Sequence, residues 1–218
     1  MTYNISHNDR RDLVLINEPS RQLHFVQDNG STLRLYLLCL PDNADNQPHN
    51  YDIEIEHNGE ECTTEVYALC CIKGQEQAAI HTNIRHNKGG GKSKQLVKFV
   101  LQDQAQGEFY GELYIAPHAQ QTSAEQQNRN ILLSNNAYMR TRPQLEIYAD
   151  DVKASHGAST GQLDQTALFY MQQRGIAPDK GRQLLLKAFM QDVVETIENE
   201  EDKQRSIDAI DRVIQHLY

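Results

Sequence analysis

The sequence predicts an all-β body followed by a short α-helical tail, and three observations carry that expectation. From about Leu33 to Val152 apolar residues alternate with polar ones, the strand period, because successive strand side chains point to opposite faces. Turn-forming stretches separate these segments, with no helical pattern between them. After Gly161 the apolar spacing changes to three and four, the period of an amphipathic helix.

Taken in order, Leu33, Leu35, Leu37 and Cys39 share one face, and Tyr51, Ile53 and Ile55 follow with Asp52, Glu54 and Glu56 opposite. Cys62, Thr64, Val66, Ala68, Cys70 and Ile72 alternate next, then Ile80, Thr82 and Ile84, then Val97, Phe99 and Leu101. Phe109, Gly111, Leu113 and Ile115 follow, and Ile131 with Leu133 and Leu145 with Ile147 close the series. Turns are expected at Pro41-Asp42-Asn43-Ala44-Asp45-Asn46, His57-Asn58-Gly59, Asn87 to Gly91 and Gln102 to Gly107. The polar, Gln-rich stretch from Gln120 to Asn130 reads as a loop. A sandwich, a closed barrel and a stacked solenoid all fit such a pattern. Strand starts are unevenly spaced and no short repeat has fixed landmarks, so the pattern by itself favours a sandwich.

In the tail, Asp164 is placed to cap a helix that Gly175 stops, and Pro178 suits the first turn of a second one. Leu186, Phe189, Met190, Val193 and Ile197 form an apolar stripe, and Ile207, Ile210, Ile214 and Leu217 form another.

The 218 residues carry 21 basic and 30 acidic side chains, a formal charge of −9. That balance argues against nucleic acid and against an anionic membrane surface, which both require a basic footprint. Protein partners are expected instead. No window approaches a membrane span and no basic stretch leads into an apolar run at Met1, so a cytoplasmic location is expected. Cys39, Cys62, Cys70 and Cys71 form no C-x-x-C pair and read as reduced thiols, the first three as small core residues.

Catalytic signatures are missing: there is no G-x-S-x-G, Walker A, H-E-x-x-H or G-x-G-x-x-G. Gly89-Gly90-Gly91-Lys92-Ser93 lacks phosphate-loop spacing and reads as a hairpin tip. His81 and His86, five apart on one strand, face opposite ways and do not share a metal. His156 follows Val152 and Ala154 by steps of two and is expected to end a strand just before a β-to-helix junction at Gly157. Its residue context alone reads as a structural histidine.

The stretch from Arg142 to Ala158, Arg-Pro-Gln-Leu-Glu-Ile-Tyr-Ala-Asp-Asp-Val-Lys-Ala-Ser-His-Gly-Ala, resembles the P-x-L-E-I-x-A-D-D-V-K-x-S-H-G-A signature of the SufB/SufD family. Thr160-Gly161-Gln162-Leu163-Asp164, Leu168-Phe169-Tyr170 and Arg174-Gly175-Ile176 continue it in family order. Thr82 to His86, Phe109 to Leu113 and Asn128 to Leu133 are weaker landmarks, and the Asp-Asp-Val-Lys form is closer to the SufD branch.

This resemblance implies a right-handed parallel β-helix over residues 1–160 and a small C-terminal helical region over 161–218, displacing the sandwich. It implies a non-enzymatic component of the SUF machinery that builds iron–sulfur clusters. The β-helix would pair with SufB, and the C-terminal helices would dock the SufC ATPase, with Phe169, Tyr170, Arg174, Gly175 and Phe189 as candidates in that region. His156 matches the family histidine at the interfacial cluster site, which makes it the candidate metal ligand. No tightly bound cofactor is expected, only a transient cluster shared with SufB through a SufB cysteine. Many family members carry a cysteine two residues before that histidine, where this chain has Ala154. The family also has a long helical N-terminal region, whereas this sequence starts almost at the β body, as in a short form. Without SufB a homodimer is expected. Other classes weighed are a carbohydrate-active β-helix enzyme, for which adjacent Asp150 and Asp151 are poor evidence, and a self-associating structural module.

Overall fold

A computed structural model describes residues 1–19, 21–40 and 48–217. The turn expected at Pro41 to Asn46 lies outside them. The strands are β1 (Thr2–Ile5), β2 (Arg10–Ile16), β3 (Arg21–Gln27), β4 (Thr32–Cys39), β5 (His49–His57) and β6 (Thr63–Ile72). They continue as β7 (Gln77–His86), β8 (Lys92–Leu101), β9 (Gln106–Ile115), β10 (Thr122–Leu132), β11 (Tyr138–Ile147) and β12 (Val152–Gly161). The helices α1 (Gln165–Gln173), α2 (Pro178–Gln191) and α3 (Glu200–Gln215) follow.

Odd strands form one six-stranded sheet in the order β1-β3-β5-β7-β9-β11, and even strands form a second, β12-β10-β8-β6-β4-β2. Every strand pairs in parallel with the one two places along. The crossover a parallel pair needs is in each case a strand of the other sheet. The result is a parallel β-solenoid, not the sandwich that periodicity favoured. Alternation reports which face of a strand is buried and says nothing of strand direction, so two packed sheets are legible from it and their connectivity is not.

The repeat is real but carries no fixed residue. Gly30, Glu61, Gly90 and Gln121 adopt positive φ at successive corners of one side, and Asn8 does so at the first. Stacked corners are tied by the backbone, as in Gly30 N to Glu60 O at 2.8 Å and Gly90 N to Gln120 O at 2.9 Å. Since five positions use four residue types for one conformation, the landmark is conformational. Gly89 to Gly91 is such a corner, joining strands of opposite sheets, so the hairpin expectation fails there.

Two further expectations are corrected. Strands begin at Thr2, well before Leu33: β1, β2 and β3 precede it, and β1 is only four residues long, too short for its Tyr3 and Ile5 to stand out as a pattern. Gln120 to Asn130 is mostly β10, not a loop. Its buried face is Thr122, Ala124, Gln126, Asn128 and Asn130, so the strand alternates in burial without alternating in hydropathy.

Between the sheets lies one core, from Ile5, Phe25, Leu35 and Val66 to Phe99, Phe109 and Leu113. A second apolar layer sits outside the even sheet, where Tyr36, Leu38, Tyr67, Leu69, Cys71 and Val100 meet Leu186, Met190, Val193, Ile210 and Ile214 of the helical tail. This double burial explains the nearly continuous apolar runs of β4 and β6. Tyr36 donates to Thr196 O at 2.9 Å. The Lys98 ammonium, 1% exposed, donates to Phe189 O at 2.6 Å and Asp192 at 2.7 Å. Asp164 caps α1 by accepting from Thr166 N and Ala167 N. Gly175, at φ +82°, closes it, with Gly175 N bonded to Gln172 O and Ile176 N to Met171 O.

Candidate functional site at the open end of the solenoid

β12 is the last strand of its sheet and pairs with β10 alone, which leaves its other edge free over ten residues. Both faces of the strand are largely exposed. β11, the last strand of the other sheet, lies across from it with Tyr138 and Ile147 exposed and Tyr148 exposed just beyond it.

His156 stands in the middle of β12, exposed. The strand does not end at Gly157 as expected but runs on to Gly161, because its backbone remains in register with β10 through the Ile131 to Gly161 pair. Val152 begins β12, so Asp150 and Asp151 precede it in a turn rather than lining a groove.

The register defines columns of side chains running up the even sheet. Leu35, Val66, Gln95, Gln126 and His156 form one. Leu37, Ala68, Val97, Asn128 and Ala158 form the next, and Cys39, Cys70, Phe99, Asn130 and Thr160 a third. Each column is apolar at its start and carries an amide at β10, Gln126, Asn128 or Asn130. Burying these amides is tolerable because they pair with one another. Gln126 Nε2 donates to Gln95 Oε1 at 2.7 Å. Asn130 Nδ2 donates to Asn128 Oδ1 at 2.7 Å, Thr160 Oγ1 at 3.1 Å and Ser159 O at 3.2 Å, which ties β12 to β10. The Gln126 side chain crosses toward β9, where a Cβ on Gly111 would fall 2.4 Å from Nε2. Gly111 therefore makes room for Gln126. Sequence reading missed this group; the signal was amides at 126, 128 and 130, steps of two.

A shallow cleft of about 320 Å³ joins Gln126 and Asn128 to Ser155, His156 and Gly157. No cysteine lies near it. Cys39 and Cys70 sit side by side in the core, Cys71 faces the helical layer and Cys62 lies at a corner, all buried and free. Burial pushes the Cys70 and Cys71 thiols up, the latter to about 12.

The remaining sequence candidates lie in the tail. Phe169 and Tyr170 project from α1 at 62% and 57% exposure, and the Arg174 guanidinium stacks 4.5 Å from the Tyr170 ring. Gly175 follows at the helix end. Phe189 is apart from these on α2, half-buried with the Lys98 ammonium 4.4 Å from its ring.

The outer face of the odd sheet carries histidine–carboxylate contacts. His24 Nε2 lies 2.9 Å from Glu56, and His81 bridges Asp52 at 3.2 Å and Glu108 at 3.0 Å. Hydrogen bonding from these histidines holds the Glu56 and Glu108 carboxyls below the usual range. His24, Glu54 and Glu56 are the one group among the described residues with three convergent metal-ligating side chains. No described helix is long and apolar enough to cross a membrane.

Residues 22–189 match the family model of the SUF system FeS cluster assembly SufBD core domain. The chain belongs to the SufBD family. Its SufD-type character rests on similarity to the iron–sulfur cluster assembly protein SufD of Escherichia coli, 32% identical over 96% of this chain and 45% of that protein. A SufBD family protein of Synechocystis is 35% identical over 67% of this chain and 32% of its own length. SufD of Bacillus subtilis is 31% identical over 65% of this chain and 32% of its own. The chain spans less than half the length of each of these relatives. The matched residues run from β3 through the solenoid and α1 into α2.

Proposed function

We infer that this SufD-type chain is a non-enzymatic scaffold component. It joins a SufB-type subunit through the β11/β12 end, offers His156 to a cluster formed at that junction, and docks the SufC ATPase through the helical tail. The observation that carries this reading is the free ten-residue edge of β12 with an exposed imidazole at its centre. An unpaired edge of that length invites a further strand, and its main-chain groups supply affinity without side-chain specificity. A neutral imidazole is a competent iron ligand, and mixed histidine–cysteine ligation of iron–sulfur clusters is established chemistry. With all four thiols of this chain buried in other coils, thiolates for a cluster at β12 come from the partner.

Docking of SufC is supported by α1, which exposes two aromatic side chains beside the Arg174 guanidinium, a composition typical of interface anchors. Phe189 acts there indirectly, by holding α2 on the solenoid. When SufB is missing, the same edge pairs with a second copy. The cytoplasm is the expected site of assembly.

The test is reconstitution with SufB and SufC. A stable complex, with cluster formation lost in His156→Ala while folding and assembly persist, supports the reading. Subunits that do not associate, or a His156→Ala complex that builds clusters at the wild-type rate, end it.

A further inference from the structure

We propose that Gln126 is a positioning residue for His156, fixing which ring nitrogen the imidazole offers at the open end. This deepens the scaffold reading and rests on it.

Gln126 is fully buried, and its amide is committed on one side only. Nε2 donates to Gln95 Oε1 at 2.7 Å, while Oε1 makes no hydrogen bond. A buried carbonyl oxygen left unpaired costs free energy, and few survive without a purpose. Register sets two neighbours for it, Gln95, whose buried Nε2 is likewise without a partner, and His156. Gln126 pairs with Gln95 on the core side and with His156 on the outer side, and in a parallel ladder these three side chains stand on one face at one level. Gln126 and His156 line the same cleft. Gly111 opposite keeps the space that the Gln126 amide needs, since a Cβ there would meet Nε2 at 2.4 Å and the Phe109 ring at 2.5 Å.

The imidazole supplies what Oε1 lacks. A neutral ring has one N–H donor and one lone pair. Donation of that N–H to Gln126 Oε1 leaves the lone pair on the other nitrogen, directed away from the core toward the free edge. Metal-ligating histidines are oriented by such a partner on their second nitrogen, and losing it commonly costs about 10-fold or more in metal affinity or activity. Gln95 in turn holds Gln126, so the chain Gln95, Gln126, His156 is a relay of orientation built on the polar end of one column. The column's start, Leu35 and Val66, has nothing to orient.

The experiment reads the ring directly, in the full chain, by ¹⁵N-resolved NMR of His156. Its expected signature is one dominant tautomer with a ring N–H protected from exchange with water. Gln126→Leu, which places in this column the residue type found at position 35, should abolish both. Gln126→Glu, which keeps the acceptor, should restore them. In reconstituted complexes Gln126→Leu should slow cluster formation about 10-fold. A wild-type ring that exchanges freely between tautomers, or one indifferent to Gln126→Leu, overturns the proposal. If instead the NMR result holds while His156→Ala leaves cluster formation unchanged, the positioning stands and the scaffold role of His156 is what fails.

Discussion

Acidification should destabilise this solenoid well above the range where carboxylates titrate, through a pair of buried histidines. His57 and His86 are both fully buried, with ring centroids 4.4 Å apart. His57 Nε2 lies 2.8 Å from Thr64 Oγ1, and His86 Nε2 lies 2.8 Å from Ser93 Oγ. Thr64 itself donates to Gln27 Oε1, so it accepts from His57, which fixes the Nε2–H tautomer there. The two Nδ1 atoms have no partner, and a Cβ on Gly91 would lie within 2.6 Å of one and 3.1 Å of the other. Among the described residues nothing negative faces the pair, so burial disfavours the charged ring: His86 is lowered to about 4, and His57, further disfavoured by His86, is lowered well below its usual value. The unfolded chain therefore binds protons from about pH 6.5 downward while the folded chain does not, and stability falls as pH falls between those values. For His86 alone, a pKa of about 4 against about 6.5 costs roughly 2 kcal/mol between pH 7 and pH 5, and His57 adds to it. Glu56 and Glu108, with lowered carboxyl values, lose their contribution only at lower pH, but the Cys39 thiol, lowered to about 6 by its contact with Cys70, titrates in the same window, so the double variant and not the window isolates the histidines. Urea unfolding followed by circular dichroism at pH 7 and pH 5 measures the loss. The double variant His57→Gln, His86→Gln, whose amide nitrogens can replace the ring donors to Thr64 and Ser93, should flatten the dependence. Equal wild-type stability at the two pH values, or an undiminished difference in the double variant, would refute the reasoning.

Other substitutions test the remaining elements. Gly111→Ala drives a methyl into Gln126 and Phe109 and should cost about 1–3 kcal/mol in thermal or urea unfolding, with partial recovery when combined with Gln126→Ala. Lys98→Ala strips the ammonium that joins β8 to Asp192 and Phe189 O, and because Asp192 is 48% exposed the loss should be about 2 kcal/mol, below that of a fully buried pair. Limited proteolysis should then cut the helical tail before the solenoid. Phe169→Ala with Tyr170→Ala removes exposed surface and should change stability by less than about 0.5 kcal/mol while weakening SufC binding at least about 10-fold in calorimetry.

How much of this was legible depends on what sequence encodes locally. The faces of β4 to β9 were readable because one side meets an apolar core, and the tail because Asp164, Gly175 and Pro178 punctuate it with fixed chemistry. The outward apolar residues Tyr36, Leu38, Tyr67 and Leu69 also held information, since a strand buried on both faces demands a cover, here α2 and α3. Strand direction was hidden: the corners recur as a backbone conformation on Gly, Glu and Gln alike, and although stacked positions such as Thr64, Ser93, Ala124 and Ala154 follow one another by 29, 31 and 30 residues, no fixed residue type marks that period. The signature around His156 located the open end only through likeness to a family, since steps of two place an imidazole on a face and cannot say whether another coil follows.

β10 was lost for a reason that bears on the site itself. A stacked solenoid exposes its core at its last coil unless something covers it or the core changes character. In this chain the columns change from Leu35 and Val66 to Gln95 and Gln126, and from Cys70 and Phe99 to Asn130 and Thr160, so the end coil presents amides and hydroxyls where a uniform interior would present leucine and phenylalanine. Hydropathy cannot mark such a strand as buried, because it is buried among polar groups. The same substitution lets the end remain in water when alone while the outer edge of a ten-residue strand stays unpaired. An apolar end would be adhesive toward any exposed surface, whereas a polar one favours a partner able to match its hydrogen bonds, which is what the proposed scaffold role asks of the array around His156.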